Sequence, residues 1–235
     1  MAKEMPSSNM FQDVSREIWR KIIKGLEKLI KFYEIGNLII SFGYTWVLRR
    51  ISRRFLKGKR ILEIGPGPGN FIKLIYNPLK YDITALEPSQ SLAYYVKGKY
   101  PNVDVLLGVA EKLPFNKNSF DCILCIFSFR DFFNKKSFLV QAYEILKPTG
   151  LLIIADTNNA HTLITRILIG YIRALGRILS KVMLLRENPY EYLAKSIEIM
   201  PSIENIIRLL KKIGFNTIRI SFFASKNAFI LVAIK

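Results

Sequence analysis

The 235-residue chain is predicted to fold as an α/β domain around a doubly wound, mostly parallel sheet of seven strands. Three observations predict it. From residue 60 onward, short apolar runs alternate with segments of helical period, the pattern of parallel strands joined by crossover helices. The first apolar run enters a turn with Gly65, Gly67 and Gly69 at alternate positions. The last two apolar runs have no helix between them, so they close the sheet as an antiparallel hairpin.

The elements follow in order. Residues 14–57 read as helical, with Trp19, Ile22, Ile23, Leu26, Leu29 and Ile30 at three- and four-residue spacing. Arg60–Ile64 is a strand, and Asn70–Tyr76 a helix after the glycine turn. Tyr81–Leu86 is a strand, and Ser89–Lys97 a helix with Ser89 as N-cap. Val103–Leu107 and the longer Phe120–Phe127 are strands. Lys135–Leu146 is a helix stopped by Pro148 and Gly150, and Leu151–Ala155 a strand. Residues 162–185 form a long helical stretch. Ser202–Ile213 is a helix ended by Gly214, before strands Phe215–Ile220 and Asn227–Ile234. This divides the chain into a basic helical segment, residues 1–57, that serves as a lid, and a sheet domain, residues 58–235, carrying the helix of 162–185 as an insertion.

Half the residues are hydrophobic, which excludes a disordered chain. Lys and Arg number 36 against 18 Asp and Glu. The excess lies in the flanks: residues 1–60 hold 14 bases and 5 acids, residues 61–160 hold 10 and 9, and residues 161–235 hold 12 and 4. Such flanks are drawn to an anionic surface, nucleic acid or lipid headgroups. Cys122 and Cys125, in a strand and three apart, point to opposite faces and read as core rather than as metal ligands or a disulfide. His161, the one histidine, has no Cys or His at ligand spacing, so no metal is expected. Neither a secretory h-region nor a charge-free run long enough to span a bilayer is present. The expected location is the cytoplasm, with peripheral contact at the inner face of the cell membrane.

In residues 162–185, Arg166, Arg173, Arg177 and Lys181 fall within about 80° at 100° per residue. Leu168, Tyr171, Ile172, Leu175, Ile178, Leu179 and Val182 take the other side. That is the pattern of a helix lying in a membrane interface, and equally of a lid helix packed by its apolar side.

The glycine turn, ILEIGPGPGNF (61–71), does not meet the dinucleotide fingerprint, because Asn70 stands where the third glycine belongs. Pro66 and Pro68 remove two amide donors that a pyrophosphate needs. No Gly-Lys-Ser/Thr follows, so the Walker pattern is absent too. Glu87 ends the next strand, 22 residues after Gly65, where a carboxylate accepts the ribose hydroxyls of a nucleoside.

An acidic residue followed by G-x-G-x-G resembles motif I of class I S-adenosylmethionine-dependent methyltransferases. GVAEKLPFNKNSFDCI (108–123) resembles the G-D-A-E-x-L-P-F-x-x-x-S-F-D stretch of that superfamily. FSFRDFFNKKSFLVQAYEILKPTG (127–150) is similar to the F-G-x-R-N … L-K-P-G-G segment of the ubiquinone/menaquinone biosynthesis C-methyltransferases, the UbiE type. YEIGNLIISFG (33–43) and YEYLAKSIEIMPS (190–202) resemble two further segments of that family, and the likeness runs over residues 31–235. It implies a Rossmann-like methyltransferase fold that moves a methyl group from S-adenosylmethionine to a ring carbon of a membrane-embedded polyprenyl quinol.

Carried over by resemblance, Glu63, Gly65, Gly67, Pro68 and Gly69 would wrap the methionine end and Glu87 the ribose. Val109 and Ala110 would lie along the adenine, and Ile126 and Phe127 would floor the site. Val109 stands where the family has Asp or Asn, Pro68 replaces Thr, and Asp131 replaces Asn. A ring carbon attacks a methyl group once its neighbouring hydroxyl is ionised. Arg130 is the candidate to stabilise that oxyanion, and Asp131 to take the proton directly or through a water. Tyr33, Asn37 and Tyr192 are candidates to line the ring. RNA, or another lipid or small phenol, is the alternative substrate, and a homodimer is compatible with the sequence.

Overall fold

The computed structural model of the chain describes residues 13–235 except 31, 32, 42, 183 and 185–187; the side chains of 33–35 and 37 also lie outside that description. The described chain opens with α1 (Arg16–Leu29), α2 (Tyr33–Ser41) and α3 (Tyr44–Ser52). Then come β1 (Arg60–Ile64), α4 (Ile72–Ile75), β2 (Asp82–Glu87), α5 (Gln90–Lys99), β3 (Asp104–Leu107) and β4 (Phe120–Ile126). The rest is α6 (Lys135–Ile145), β5 (Leu146–Thr157), α7 (Leu163–Val182), α8 (Pro189–Glu198), α9 (Ile203–Ile213), β6 (Thr217–Phe223) and β7 (Ala228–Ile234).

The described strands form one seven-stranded sheet in the order β3-β2-β1-β4-β5-β7-β6. β1 runs parallel to β2 and β4, β2 to β3, and β4 to β5; β7 is antiparallel to β5 and β6. β1 and β4 are buried on both faces, which is why they read as continuous apolar runs. One face packs Leu62, Ile123 and Cys125 against Phe138 of α6 and Ile206 of α9. The other packs Ile61, Cys122 and Leu124 against Leu48 of α3, Ile72 of α4 and Val96 of α5. The two cysteines therefore lie on opposite faces, as the period of two requires. Between β1 and β4 the winding reverses direction, the switch point where α/β sheets hold ligands.

Capping explains the helix starts. Ser89 Oγ accepts from Leu92 N at 3.2 Å, Asn134 Oδ1 from Ser137 N at 2.9 Å, and Ser202 Oγ from Asn205 N at 3.3 Å. Gly214, at φ 124°, ends α9.

Four details differ from the sequence reading. The helix expected over Asn70–Tyr76 is one turn only, because Gly67–Phe71 is taken up by turns and Pro78 follows closely. β5 begins at Leu146, with a bulge that carries the register from Phe120↔Leu146 to Cys122↔Leu151. α8 was not anticipated as a helix, although Asn188 caps it at Tyr190 N (3.1 Å) and Pro189 occupies its first turn. The apolar side of α7 is divided. Ile169, Ile172 and Gly176 are buried, whereas Leu163, Ile164, Ile167, Ile178 and Val182 face outward. Arg173 leaves the basic row to bond Glu191 at 2.8 Å and Glu198 at 2.9 and 3.0 Å.

Candidate active site

The carboxyl ends of β1, β2, β4 and β5 frame the site. Gly65 N donates to Leu86 O at 2.9 Å, and Ser128 Oγ donates to Ile64 O at 2.6 Å, which ties the first three strand ends together. Gly65 has φ 64°, and a Cβ there would stand 2.9 Å from Ser128 Cβ, so a side chain has no room. Gly67 has φ 56°, but a Cβ there would meet nothing within 4 Å. It opens onto a cleft of about 790 Å³. Gly69 serves packing instead: a Cβ there would come 2.9 Å from the Tyr100 ring, and neither it nor Pro68 borders this cleft.

Two carboxylates border the cleft. Glu63 is 1% exposed, and burial pushes its pKa from 4.5 up to about 8, against the pull of the Arg49 charge. Its Oε2 has no hydrogen-bond partner among the described residues. Glu87 accepts Gly67 N and Ser89 N, each at 3.0 Å, and burial still raises its pKa to about 7. Val109, Ala110, Ile126 and Phe127 border the same cleft. Pro66 and Asn70 of the glycine turn and Phe71 after it join them, though the sequence marked none of the three as a site residue.

The N-terminal helix completes the cleft. Trp19, Ile22, Ile23 and Leu26 of α1 line it, and Glu27 accepts the Ser89 hydroxyl at 2.6 Å. Trp19 stacks edge-on to Phe133, with centroids 5.4 Å apart.

Phe127 is the hinge of the site. It follows the last residue of β4 with φ 62°, a left-handed conformation that costs a bulky residue about 1–3 kcal/mol. Its N–H donates to Ala155 O at 2.7 Å and its carbonyl accepts from Arg130 Nη1 at 2.9 Å, and these two bonds hold the turn. On its far side lies a second, largely apolar chamber of about 930 Å³, bordered by Ile40, Tyr44, Leu168, Ile172, Leu193 and Ile197. Arg49, Phe127 and Arg130 border both spaces.

Arg130 is held firmly. Nη1 lies 2.6 Å from Asp156 Oδ1, its backbone N–H donates to Asp156 Oδ2 at 3.0 Å, and Nε lies 3.6 Å from Asp131 Oδ1. Asp156 is fully buried at the end of β5. Burial also raises the Asp131 pKa, opposed by the Arg130 charge. Arg130 and Asp131 border a smaller cavity of about 490 Å³ beneath α1 and α8 as well.

The sequence reading missed Asp156, Arg49, Tyr44 and the α1 residues. Asp156 carried a signal, as a lone acid ending an apolar strand, LLIIAD. Arg49 carried none, being one base among many. The side chains of Tyr33 and Asn37 lie outside the described residues. Tyr192 sits in the contact of α1 with α8, grouped with Val14 and Ile22 and under the Lys21 ammonium at 5.5 Å; its neighbours Tyr190 and Leu193 border the cavities.

The sheet order, the hairpin at its edge and a glycine-lined cleft with two buried carboxylates at the switch point are those of a class I S-adenosylmethionine-dependent methyltransferase. The match of residues 19–235 to the ubiE/COQ5 methyltransferase family places the chain in that family. The match starts at Trp19, so α1 belongs to the shared region that sequence reading began only near residue 31. A relative from Blochmanniella floridana, named ubiquinone/menaquinone biosynthesis C-methyltransferase UbiE, is 27% identical, with 89% of this chain and 87% of that one covered. A demethylmenaquinone methyltransferase from Renibacterium salmoninarum is 29% identical, with 79% and 80% covered. A solved S-adenosylmethionine-dependent methyltransferase from Thermotoga maritima has the same fold at TM-score 0.67 and 23% identity, covering 90% of this chain and 99% of that one.

The cleft fits this cofactor. The unpartnered Glu63 oxygen suits an ammonium, and the open face of Gly67 admits the ligand to backbone contact.

Proposed function

We propose that this methyltransferase acts on a ring carbon of a membrane-embedded polyprenyl quinol held in the apolar chamber. The observation that carries the reading is the junction at Phe127. A cleft that carries the buried carboxylates Glu63 and Glu87, suited to the cofactor, and a larger apolar chamber suited to a hydrocarbon-bearing ring share Arg49, Phe127 and Arg130. The names of the relatives above support the substrate class.

When bound, S-adenosylmethionine supplies an electrophilic methyl group on a sulfonium. Glu63, Gly65 and Gly67 hold its methionine end and Glu87 its ribose, with Val109, Ala110 and Ile126 against the base. Asp131 takes the proton of the ring hydroxyl, directly or through a water. Its burial raises the proton affinity it needs for that task. Arg130, bonded to Asp156 and Phe127 O, positions Asp131. Trp19 and Ile22 of α1 close the cleft against water.

The outward face of α7 supports delivery of such a substrate from a lipid surface. Ile167 is 63% and Val182 74% exposed, and Arg166, Arg177 and Lys181 flank them. Leu38 of α2 and Trp46 of α3 are also exposed. Tyr171 Oη, donating to Ile39 O at 3.2 Å, joins α7 to α2 above the chamber. Apolar side chains beside bases suit an anionic interface, each base contributing about 1 kcal/mol there. Among the described residues no helix is long and apolar enough to cross a membrane.

The test offers labelled S-adenosylmethionine with reduced lipid extract and total RNA from the same cells in parallel. Label in a quinol-like lipid is expected; label in RNA would overturn the substrate. Co-sedimentation with phosphatidylglycerol vesicles at low salt tests the surface. Binding that Ile167→Asp with Val182→Asp abolishes is expected, and absence of binding by the unaltered chain would refute it.

A further inference from the structure

Helix α3 brings two polar side chains to the junction. Arg49 is 8% exposed, and its guanidinium carbon lies 5.2 Å from the centroid of the Phe127 ring. It borders both the cleft and the chamber, and its charge acts on Glu63. Five residues earlier, Tyr44 borders the chamber with a hydroxyl that is buried and has no hydrogen-bond partner among the described residues. A buried hydroxyl of this kind is costly unless a ligand atom meets it. Arg130 donates from Nη1 to Asp156 and to Phe127 O, and its Nε lies 3.6 Å from Asp131 Oδ1.

Resting on the quinol reading of the chamber, we propose that Arg49 is the cation facing the ring oxygen that must ionise, and that Tyr44 donates a hydrogen bond to a ring oxygen. This replaces the oxyanion role expected of Arg130, which becomes a positioning residue. The chemistry follows from placement. A phenol bound against a buried guanidinium loses its proton more readily, because the anion is stabilised where water is scarce. The proton passes by way of a water to Asp131, which borders the cleft together with Arg49 and Arg130. The charged and titratable groups at the junction are Arg49 and Arg130, which border both spaces, Tyr44 on the chamber, Glu63, Glu87, Glu111 and Asp131 on the cleft, and Asp156, which Arg130 bonds.

The test uses a 4-nitrophenol carrying a short alkyl chain, whose phenolate absorbs in the visible, bound to the full chain in the presence of S-adenosylhomocysteine. The unaltered chain is expected to lower the probe's apparent pKa by about one unit, a tenfold shift in the ionisation equilibrium. Arg49→Gln is expected to abolish that shift, Arg49→Lys to keep part of it, and Tyr44→Phe to weaken probe binding about fivefold. Melting curves show which variants are folded. Where Arg49→Gln does not fold, Arg49→Lys and Tyr44→Phe decide. A folded Arg49 variant whose bound probe titrates as in the unaltered chain would overturn the assignment, as would loss of the shift in Arg130→Lys alone. Methyl transfer to reduced quinone lipid is measured alongside. Transfer that is indifferent to Arg49 sinks this inference and leaves the function standing. No transfer by the unaltered chain sinks the substrate reading and this inference with it.

Discussion

Cofactor binding should expel protons at neutral pH, and Glu63 is the reason. Burial raises its pKa from 4.5 to about 8, and that of Glu87 to about 7. At pH 7 Glu63 is then about nine-tenths protonated and Glu87 about half. A ligand bearing an ammonium and ribose hydroxyls needs both as carboxylates. Binding therefore releases between about one and one and a half protons at pH 7. Ionising Glu63 against its pKa costs about 1.4 kcal/mol at pH 7 and about 2.7 kcal/mol at pH 6. Affinity should accordingly rise about ninefold from pH 6 to 7 and about fivefold from pH 7 to 8 through Glu63, with Glu87 steepening the lower half. Calorimetry with S-adenosylhomocysteine in two buffers of different ionisation enthalpy counts the protons. Glu63→Gln should reduce the count to about one half, the share of Glu87. An unaltered chain that binds the ligand with no proton release between pH 6.5 and 7.5 would refute the reasoning. The sign is opposite for folding stability. Both groups hold protons in the folded state that the unfolded chain gives up above pH 4.5, so their contribution to stability falls as pH rises toward 8.

The other predictions concern single positions. Gly67→Ala, at φ 56° with open space before it, should cost roughly 1–2 kcal/mol of stability and mainly weaken cofactor affinity. Gly69→Ala, at φ 79° and 2.9 Å from Tyr100, should lose more stability than Gly67→Ala while affinity changes less; paired melting and binding measurements separate them. Asp156→Ala strands the buried Arg130 charge and should cost about 3–5 kcal/mol in denaturant unfolding, with turnover lost in what remains folded. Burial raises the Cys122 thiol to about 12 and the Cys125 thiol well above its usual range. Neither should react with a thiol reagent at pH 8 until the chain unfolds, and prompt labelling of the native protein would contradict the packing.

Much of this was legible in the residues because it is local. β1 falls on Arg60–Ile64 as read, since an apolar run bounded by a base and a glycine admits few other conformations. Ser89 and Ser202 announce α5 and α9, because a cap is a contact between near neighbours. Glu63 and Glu87 could be placed in the cleft from strand ends alone, since parallel strands deliver their carboxyl ends to one edge of the sheet. Gly69 looked like Gly67 in the sequence, and only the approach of Tyr100, 31 positions away, separates a packing glycine from a ligand-facing one. The period of α7 divides its apolar and basic residues but does not say which of the apolar ones face the domain. That is decided by α8 and by Glu191 and Glu198, which draw Arg173 inward and leave Ile178 and Val182 outside. Likewise Arg49 and Asp156 become members of one junction only when α3 and β5 meet at Phe127. Composition, period and caps act over a few residues, so the sequence by itself determined the sheet, its order of elements and the acids at its edge. Long-range packing chooses among chemically similar side chains, so the tertiary structure alone decided which arginine, which glycine and which helix face serve the site.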